Sequence, residues 1–207
     1  MNVEDFLNEY QDLGSRIQLP TEPEGVDFLP IIGEAMRQGR KLHVKYRKYS
    51  DEEPYDAVLQ PYCLKLFQGR WYLLAVKENS VHKDSRYQSF ALDRLDSAGI
   101  MDEQFTLDTG FDADEYFRDS FGIWVDKEKY PVRDITIAVT RKVANYLRSL
   151  PLHHSQRQLE VKPDQSLVIG NGDKGEAIFF QYHISPTPDF LAELRKWDKE
   201  IIMLSKV

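Results

Sequence analysis

The hydrophobic pattern changes its period at Gly39, and this change constrains the fold more than any other feature. Before it, residues 26–38 repeat apolar side chains at helical spacing, and a glycine at the end is a common helix stop. After it, Leu42, Val44 and Tyr46 alternate with polar side chains, which is typical of a half-buried strand. The pattern therefore predicts a helix that leads directly into β-structure.

Four more strands are predicted after this one, separated by tight polar turns. Pro61 falls inside the first of them, which predicts an edge strand or a bulge, and Gly99 separates the last two. Five short strands within about 65 residues favour a small barrel. The four further strands are predicted at residues 57–67, 70–78, 86–98 and 100–105.

The last third of the chain alternates strand and helix patterns in a different order. The order is β-α-β-β-α-β, which is the ferredoxin-like arrangement. The third strand is predicted either to end near residue 172 or to run on to 185. The six elements are predicted at residues 132–140, 141–150, 156–163, 166–172, 188–198 and 200–207.

The segment between these two parts is too aromatic for a disordered linker. Asp112 is placed to cap a short helix. We expect the segment to pack against one or both neighbours through Phe111, Tyr116, Phe117, Phe121 and Trp124.

The sequence thus predicts an α+β protein with N-terminal connector helices, in four parts. They are an N-terminal helix (4–17) and linker within 1–25, a connector helix and barrel at 26–104, an aromatic-rich connecting segment at 105–131, and a ferredoxin-like domain at 132–207.

Charge and composition limit the classes of function. The net charge of −7 argues against a general polyanion binder. The acidity is concentrated in residues 1–39 and 105–131, so a local anion site elsewhere stays possible. There is no apolar run long enough to span a membrane and no secretory signal. A single cysteine, Cys63, fits a reducing cytoplasm, where we expect the protein to act.

Motifs for catalysis or metal binding are weak. His153 and His154 are adjacent, and adjacent side chains on extended chain point apart. The glycine-rich residues 170–175 join two strand patterns, whereas a phosphate loop leads into a helix. Asp93 beside Arg94 is more typical of an ion pair or turn than of a catalytic carboxylate. We therefore expect no enzyme activity, no metal and no cofactor.

Aromatic and basic residues interleave in the predicted barrel. Such patterns stack bases and hold phosphates, although aromatic side chains also simply fill small barrels. The residues concerned are Tyr46, Arg47, Tyr49, Arg70, Trp71, Tyr72, Arg86, Tyr87, Phe90 and Arg94.

Residues 71–73 read Trp-Tyr-Leu, and the surrounding pattern resembles the WYL-domain family, named for this tripeptide. A tyrosine ends the first strand, a proline precedes the signature strand, and an arginine precedes an aromatic strand that ends in Leu-Asp-Arg. Residues 111–124 and 151–156 are similar to the segment after the barrel and to the start of the C-terminal extension called WCX. The resemblance covers residues 26–207.

The resemblance implies an Sm-like or SH3-like barrel followed by a ferredoxin-like extension, acting as the ligand-sensing module of a bacterial transcriptional regulator. The ligand would be anionic, either a small molecule such as a nucleotide or single-stranded nucleic acid. Binding would be transmitted through a homodimer to DNA-reading domains. DNA would be reached only through an N-terminal helix-turn-helix, for which this sequence has no room before residue 26.

The ligand site carried over from the family comprises Tyr46, Trp71, Tyr72, Arg86 and Arg94. Phe90 joins them as a stacking residue, because it shares the strand and its parity with the two arginines. A bulge near Asp93 would change that parity. Trp71 and Tyr72 are expected to face opposite sides of the sheet, one toward the core and one toward the ligand.

Two alternatives of other classes remain. One is a stand-alone single-strand binder with no switching role, and the less favoured one is an enzyme acting on a nucleotide. Ala91 stands where many relatives carry a basic residue, which weakens a nucleic-acid interpretation.

Overall fold

The computed structural model describes residues 8–9, 23–50, 52–80, 86–160, 169 and 177–205. Apart from residues 8 and 9, which are helical, the helix predicted at 4–17 lies outside the described residues. The connector helix is confirmed: a 3-10 turn over Val26–Phe28 continues into α1, Leu29–Gln38. Gly39 ends it in the left-handed conformation (φ 64°), which glycine adopts without strain. The helix buries Ile32 and Ala35 on the sheet that follows.

Five strands form the first sheet: β1 Arg40–Tyr46, β2 Tyr55–Phe67, β3 Arg70–Lys77, β4 Gln88–Ala91 and β5 Leu95–Gln104. All its pairings are antiparallel, and the strand order is β4-β3-β2-β1-β5. The core lies on one face, where Leu42, Val44 and Tyr46 alternate with exposed side chains as the sequence predicted.

Two boundary predictions in this sheet are wrong. The strand predicted over 86–98 is divided by a 3-10 turn at Leu92–Arg94. Gly99 does not separate two strands, since β5 runs through it and pairs with β1 there. An antiparallel partner on β1 supplies hydrogen bonds at Gly99, and this tertiary pairing overrides the local preference of glycine for turns.

Pro61 lies within a central strand. The pairing of β2 with β3 shifts register between Pro61 and Cys63, so the bulge that the sequence suggested is present and the edge position is not. A bulge suits proline because the local ladder is interrupted there and no N–H is required.

The connecting segment contains the short helix α2, Ala113–Phe117, and Asp112 caps it by accepting a hydrogen bond of 2.8 Å from the Glu115 N–H. Phe111 and Tyr116 join Tyr62 and Tyr87 in a cluster of ring contacts. Four of the five aromatic side chains predicted to dock are partly buried, namely Phe111, Tyr116, Phe117 and Phe121. Trp124 differs: it is 48% exposed, so the prediction that it is buried is wrong.

The second sheet and its helices follow the predicted order of strands and helices. The elements are β6 Arg133–Val139, α3 Arg141–Ser149, β7 Arg157–Gln158, β8 Ile178–Ile184, α4 Pro188–Arg195 and β9 Ile201–Met203. The strand order in the sheet is β7-β8-β6-β9, again antiparallel. Ile169 apart, the strand predicted at 166–172 lies outside the described residues.

The two helices α3 and α4 supply one core of this second sheet. Val143 and Leu147 from α3, and Phe190 from α4, pack on Tyr182 of β8. Thr140 caps α3 by accepting from the Val143 N–H, and α4 begins at Pro188, as the prolines predicted. A line of ring contacts joins the sheets, from Phe67 on β2 through Phe121 to Phe190.

The molecule is thus an α+β protein with two antiparallel sheets. The barrel, the ferredoxin-like class and the four domain boundaries remain predictions. In the described part of the chain, no helix is both long and apolar enough to cross a membrane.

Candidate ligand-binding site

A groove of about 910 Å³ lies between the first sheet and the connecting segment, and it is the candidate site. One wall comes from the sheet and its turns, including Tyr46, Tyr72, Arg86 and Arg94, and the other comes from residues 123–128. Four of the six residues proposed for the site from the sequence therefore line a single depression.

Tyr46 ends β1 at the floor of the groove. Its ring is only 5% exposed, and its hydroxyl oxygen accepts a hydrogen bond of 3.3 Å from the backbone N–H of Ala91. Burial raises the pKa of the phenol, and the Ala91 N–H and the Arg94 charge offset part of this rise. The hydroxyl is therefore neutral at physiological pH, and its O–H can donate a hydrogen bond to an acceptor on a ligand.

Arg94 is brought beside Tyr46 by the 3-10 turn that divides the predicted strand. The Arg94 carbonyl oxygen accepts a 3.0 Å hydrogen bond from the N–H of Arg47, directly after β1. The guanidinium carbon lies 3.6 Å from the centre of the Tyr49 ring. Its Nε is buried and finds no acceptor among the described residues. A guanidinium that is stacked but lacks an acceptor at Nε suits capture of an anion.

Arg86 lies before β4 and is already engaged. It forms an ion pair of 2.7 Å with Asp108 and donates to the Tyr62 hydroxyl at 3.3 Å. Its guanidinium carbon is 5.4 Å from the centre of the Tyr87 ring. Arg86 thus contributes charge to the groove while it also ties the connecting segment to the sheet.

The expected division between Trp71 and Tyr72 agrees with the structure. Trp71 packs against the core that contains Leu42 and Leu73, and it does not line the groove. Tyr72 does line it. Trp71 therefore supports the fold at this point, and Tyr72 is the signature residue available to a ligand.

Phe90 is not placed to stack on a ligand. It is 3% exposed and lies in the core of the first sheet. The parity argument fails because β4 ends at Ala91, and the 3-10 turn then rotates Arg94 away from the Phe90 face. The bulge considered near Asp93 is thus replaced by a full helical turn.

Sequence reasoning missed the wall formed by residues 123–128 and also Lys48. Lys127 and Lys48 add positive charge to the groove, while Asp126 and Glu128 add negative charge. The aromatic composition of the connecting segment was the available signal, but it indicated packing rather than a ligand.

Asp189, at the first turn of α4, holds this wall in place. Its Oδ2 accepts hydrogen bonds from the backbone N–H groups of Ile123 (2.9 Å) and Trp124 (3.3 Å). On the other side, the Ser89 hydroxyl donates to the Ile123 carbonyl oxygen at 3.5 Å. The wall is therefore attached both to the first sheet, at β4, and to α4.

A smaller polar pocket of about 540 Å³ lies on the other side of Tyr72. It contains an ion pair of 3.0 Å between Arg70 Nε and Asp93 Oδ2, and Glu24 adds a second carboxylate. Because two carboxylates face one guanidinium there, this pocket suits an anion less well than the groove does.

Comparison with known proteins agrees with the sequence signature. Residues 27–100 match the model of the WYL domain family. The chain carries a WYL domain. This domain spans α1 and most of the first sheet, so the sheet wall of the groove belongs to the WYL domain and residues 123–128 lie after it.

No curated protein sequence matches this WYL-domain chain. Among solved structures, it is similar to proteasome accessory factor B/C (PafBC) of Arthrobacter aurescens, at 15% identity and a TM-score of 0.38, covering 91% of this chain and 26% of that one. It is also similar to a CRISPR Cas-related protein, at 15% identity and a TM-score of 0.48, covering 88% and 48%. The chain thus spans about a quarter of the first protein and about half of the second.

Proposed function

We propose that the chain is the ligand-sensing module of a bacterial transcriptional regulator, with the groove as its site for an anionic ligand. The ligand class is a nucleotide or single-stranded nucleic acid. One observation carries the proposal: on a WYL domain, Tyr46, Tyr72, Arg86 and Arg94 line the same groove. Within the described part of the chain, Arg94 has no carboxylate partner, so its charge is available.

The electrostatics of the groove support a ligand that is anionic at one end. The sheet wall contributes the cations Lys48, Arg86 and Arg94. Residues 123–128 contribute two carboxylates, Asp126 and Glu128, and one cation, Lys127, which lies 3.4 Å from Asp119. An anion would therefore be attracted more strongly to the sheet wall than to the opposite wall. The groove therefore favours a single orientation of a ligand whose charge lies at one end.

The test is titration of the intact chain with a 5′-phosphorylated single-stranded oligonucleotide at several salt concentrations. Arg94→Ala should weaken binding roughly 10- to 100-fold, since a hydrogen bond to a charged group contributes about 1.5–3 kcal/mol. It should also reduce the salt slope by about one. Arg86→Ala should weaken binding less, because Asp108 already holds that side chain.

Arg157→Ala is the matched control. It removes the same charge from an exposed site on β7, where the arginine contacts Gln181. If Arg94→Ala and Arg157→Ala bind the oligonucleotide equally tightly and with equal salt slopes, the groove is not the anion site.

Transmission through a homodimer is the second half of the proposal. Exposed apolar side chains of the C-terminal part, among them Tyr146, Leu150 and Met203, support an interface there. Light scattering with and without oligonucleotide tests it. A monomer mass at every concentration would contradict the dimer, and a dimer that binds without any change of shape in small-angle scattering would favour the stand-alone binder instead.

A further inference from the structure

We propose that Trp124 is a contact residue of the groove that stacks on a planar ring of the ligand, and that Asp189 is the residue that positions it. The ligand would then be a nucleotide unit, with its phosphate toward the sheet wall and its base on the indole. The inference rests on the proposed function, because it assumes that the groove holds an anion.

The first observation is the exposure of the indole. Trp124 is 48% exposed, although its neighbours Phe121 and Phe117 are partly buried and make ring contacts. Burying a tryptophan side chain is strongly favourable, and this segment offers aromatic surfaces to bury it against. Trp124 instead lines the groove, opposite the cationic sheet wall.

The second observation is that the backbone under this exposed side chain is fixed. The two N–H groups bound by the Asp189 carboxylate belong to Ile123 and to Trp124 itself. Gly122 has φ 89°, and a Cβ there would lie 2.3 Å from Asp189 Oδ2. Glycine is thus required for the chain to approach the carboxylate this closely. A fixed backbone lowers the entropy lost when the ring is stacked by a ligand.

The third observation is that cationic and aromatic groups occur on facing walls. Proteins that bind single strands combine basic groups along the backbone with aromatic rings that stack the bases. Here Arg94 and Lys48 lie on one wall and Trp124 on the other. The Asp189 carboxylate repels an anion in the groove only weakly, because its Oδ2 accepts hydrogen bonds from two N–H groups that offset its charge.

The experiment compares three probes: inorganic phosphate, adenosine 5′-monophosphate and a 5′-phosphorylated oligonucleotide. The wild-type chain should bind the mononucleotide more tightly than phosphate. Trp124→Ala should weaken mononucleotide binding roughly 5- to 100-fold and leave phosphate binding unchanged, while Trp124→Phe should retain most of the affinity. Leu66→Ala, which removes an exposed apolar side chain on β2 outside the groove, is the control and should change neither.

Asp189→Ala tests positioning. It should reduce mononucleotide affinity in the same ring-specific way, whereas Asp189→Asn keeps one acceptor oxygen and should restore most of it. Thermal unfolding of each variant shows whether the fold is intact. An oligonucleotide that binds much more tightly than the mononucleotide would identify a strand as the source of the base, and equal affinities would identify the free nucleotide.

The failures can be distinguished. If Arg94→Ala loses both phosphate and nucleotide while Trp124→Ala binds the nucleotide like the wild type, the anion site stands and the stacking role is wrong. If the wild-type chain binds none of the three probes, the proposed function fails, and the stacking role fails with it.

Discussion

The ring of Phe90 meets the ring of Tyr46 edge to face, with 5.1 Å between their centres. Both rings are almost fully buried, so this contact joins the floor of the groove to the core of the first sheet. Edge-to-face pairs contribute about 0.5–1.5 kcal/mol beyond the apolar area they bury.

We expect Phe90→Ala to lower the free energy of unfolding by about 3–5 kcal/mol, because it leaves a cavity beside Tyr46 that the sheet cannot close. Urea denaturation measures this. Leu107→Ala, at a site 50% exposed, should change stability by no more than about 0.5 kcal/mol. Equal midpoints for the two variants would show that Phe90 is not a core residue.

The position of Phe90 shows what the sequence could and could not predict about the fold. Alternation along β1 predicted its buried face correctly, because a regular strand keeps its period. The relation between Phe90 and Arg94 was not predictable, because Leu92–Arg94 forms a helical turn between two strands. The local sequence pattern of residues 92–94 is equally compatible with a continuous strand. Only the pairing of β5 with β1 decides between a continuous strand and a helical turn.

Tyr46→Phe should cost about 1–3 kcal/mol of stability, although it removes a single oxygen atom. The buried N–H of Ala91 donates to that oxygen and would lose its side-chain acceptor. Tyr146→Phe, at an exposed position, is the matched control. Chemical denaturation of both variants gives the two values, and a cost for Tyr46→Phe no larger than the control's would argue against the bond.

Two glycines should respond in opposite directions to replacement by alanine. Gly122→Ala places a methyl group against the Asp189 carboxylate at positive φ, so we expect a loss of at least about 1 kcal/mol and faster proteolysis of the connecting segment. Gly33 lies inside α1 with no atom within 4 Å of a new Cβ. Gly33→Ala should therefore stabilise the chain by up to about 1 kcal/mol. The same sign for both would contradict this account.

His153 should make stability depend on pH near neutrality. Burial lowers the pKa of its imidazole below the ordinary 6.5, partly offset by the 2.7 Å hydrogen bond between Nε2 and the Arg118 carbonyl oxygen. Because the folded pKa lies below the unfolded one, the unfolded state takes up the proton first. The stability is therefore fully present above about pH 6.5 and is lost as the pH falls toward the folded pKa.

His153→Gln should remove this dependence. Free energies of unfolding measured between about pH 7 and pH 5 should fall less steeply for the variant than for the wild type, before most carboxylates begin to protonate. Parallel profiles for the two proteins over this range would show that His153 does not titrate differently on folding.

The candidate site was partly predictable. Tyr46, Tyr72, Arg86 and Arg94 were predicted from the family resemblance, whereas the strand parity that added Phe90 fails at the Leu92–Arg94 turn. Trp124 was assigned to the interior instead, because its aromatic surroundings predict packing. Its orientation depends on Asp189, which is 65 residues away in the sequence, and no local pattern encodes that contact.

The hydrogen bonds that the Asp189 carboxylate accepts from residues 123 and 124 have a consequence for protein engineering. A cassette of residues 27–100, cut where the family match ends, would transplant the cations of the sheet without the opposing indole or the carboxylate that anchors it. The chimera would then lack the residues that we propose select the ring of the ligand. A chimera meant to transfer recognition to a new host should therefore extend through Met203, the end of β9, so that both sheets are kept together.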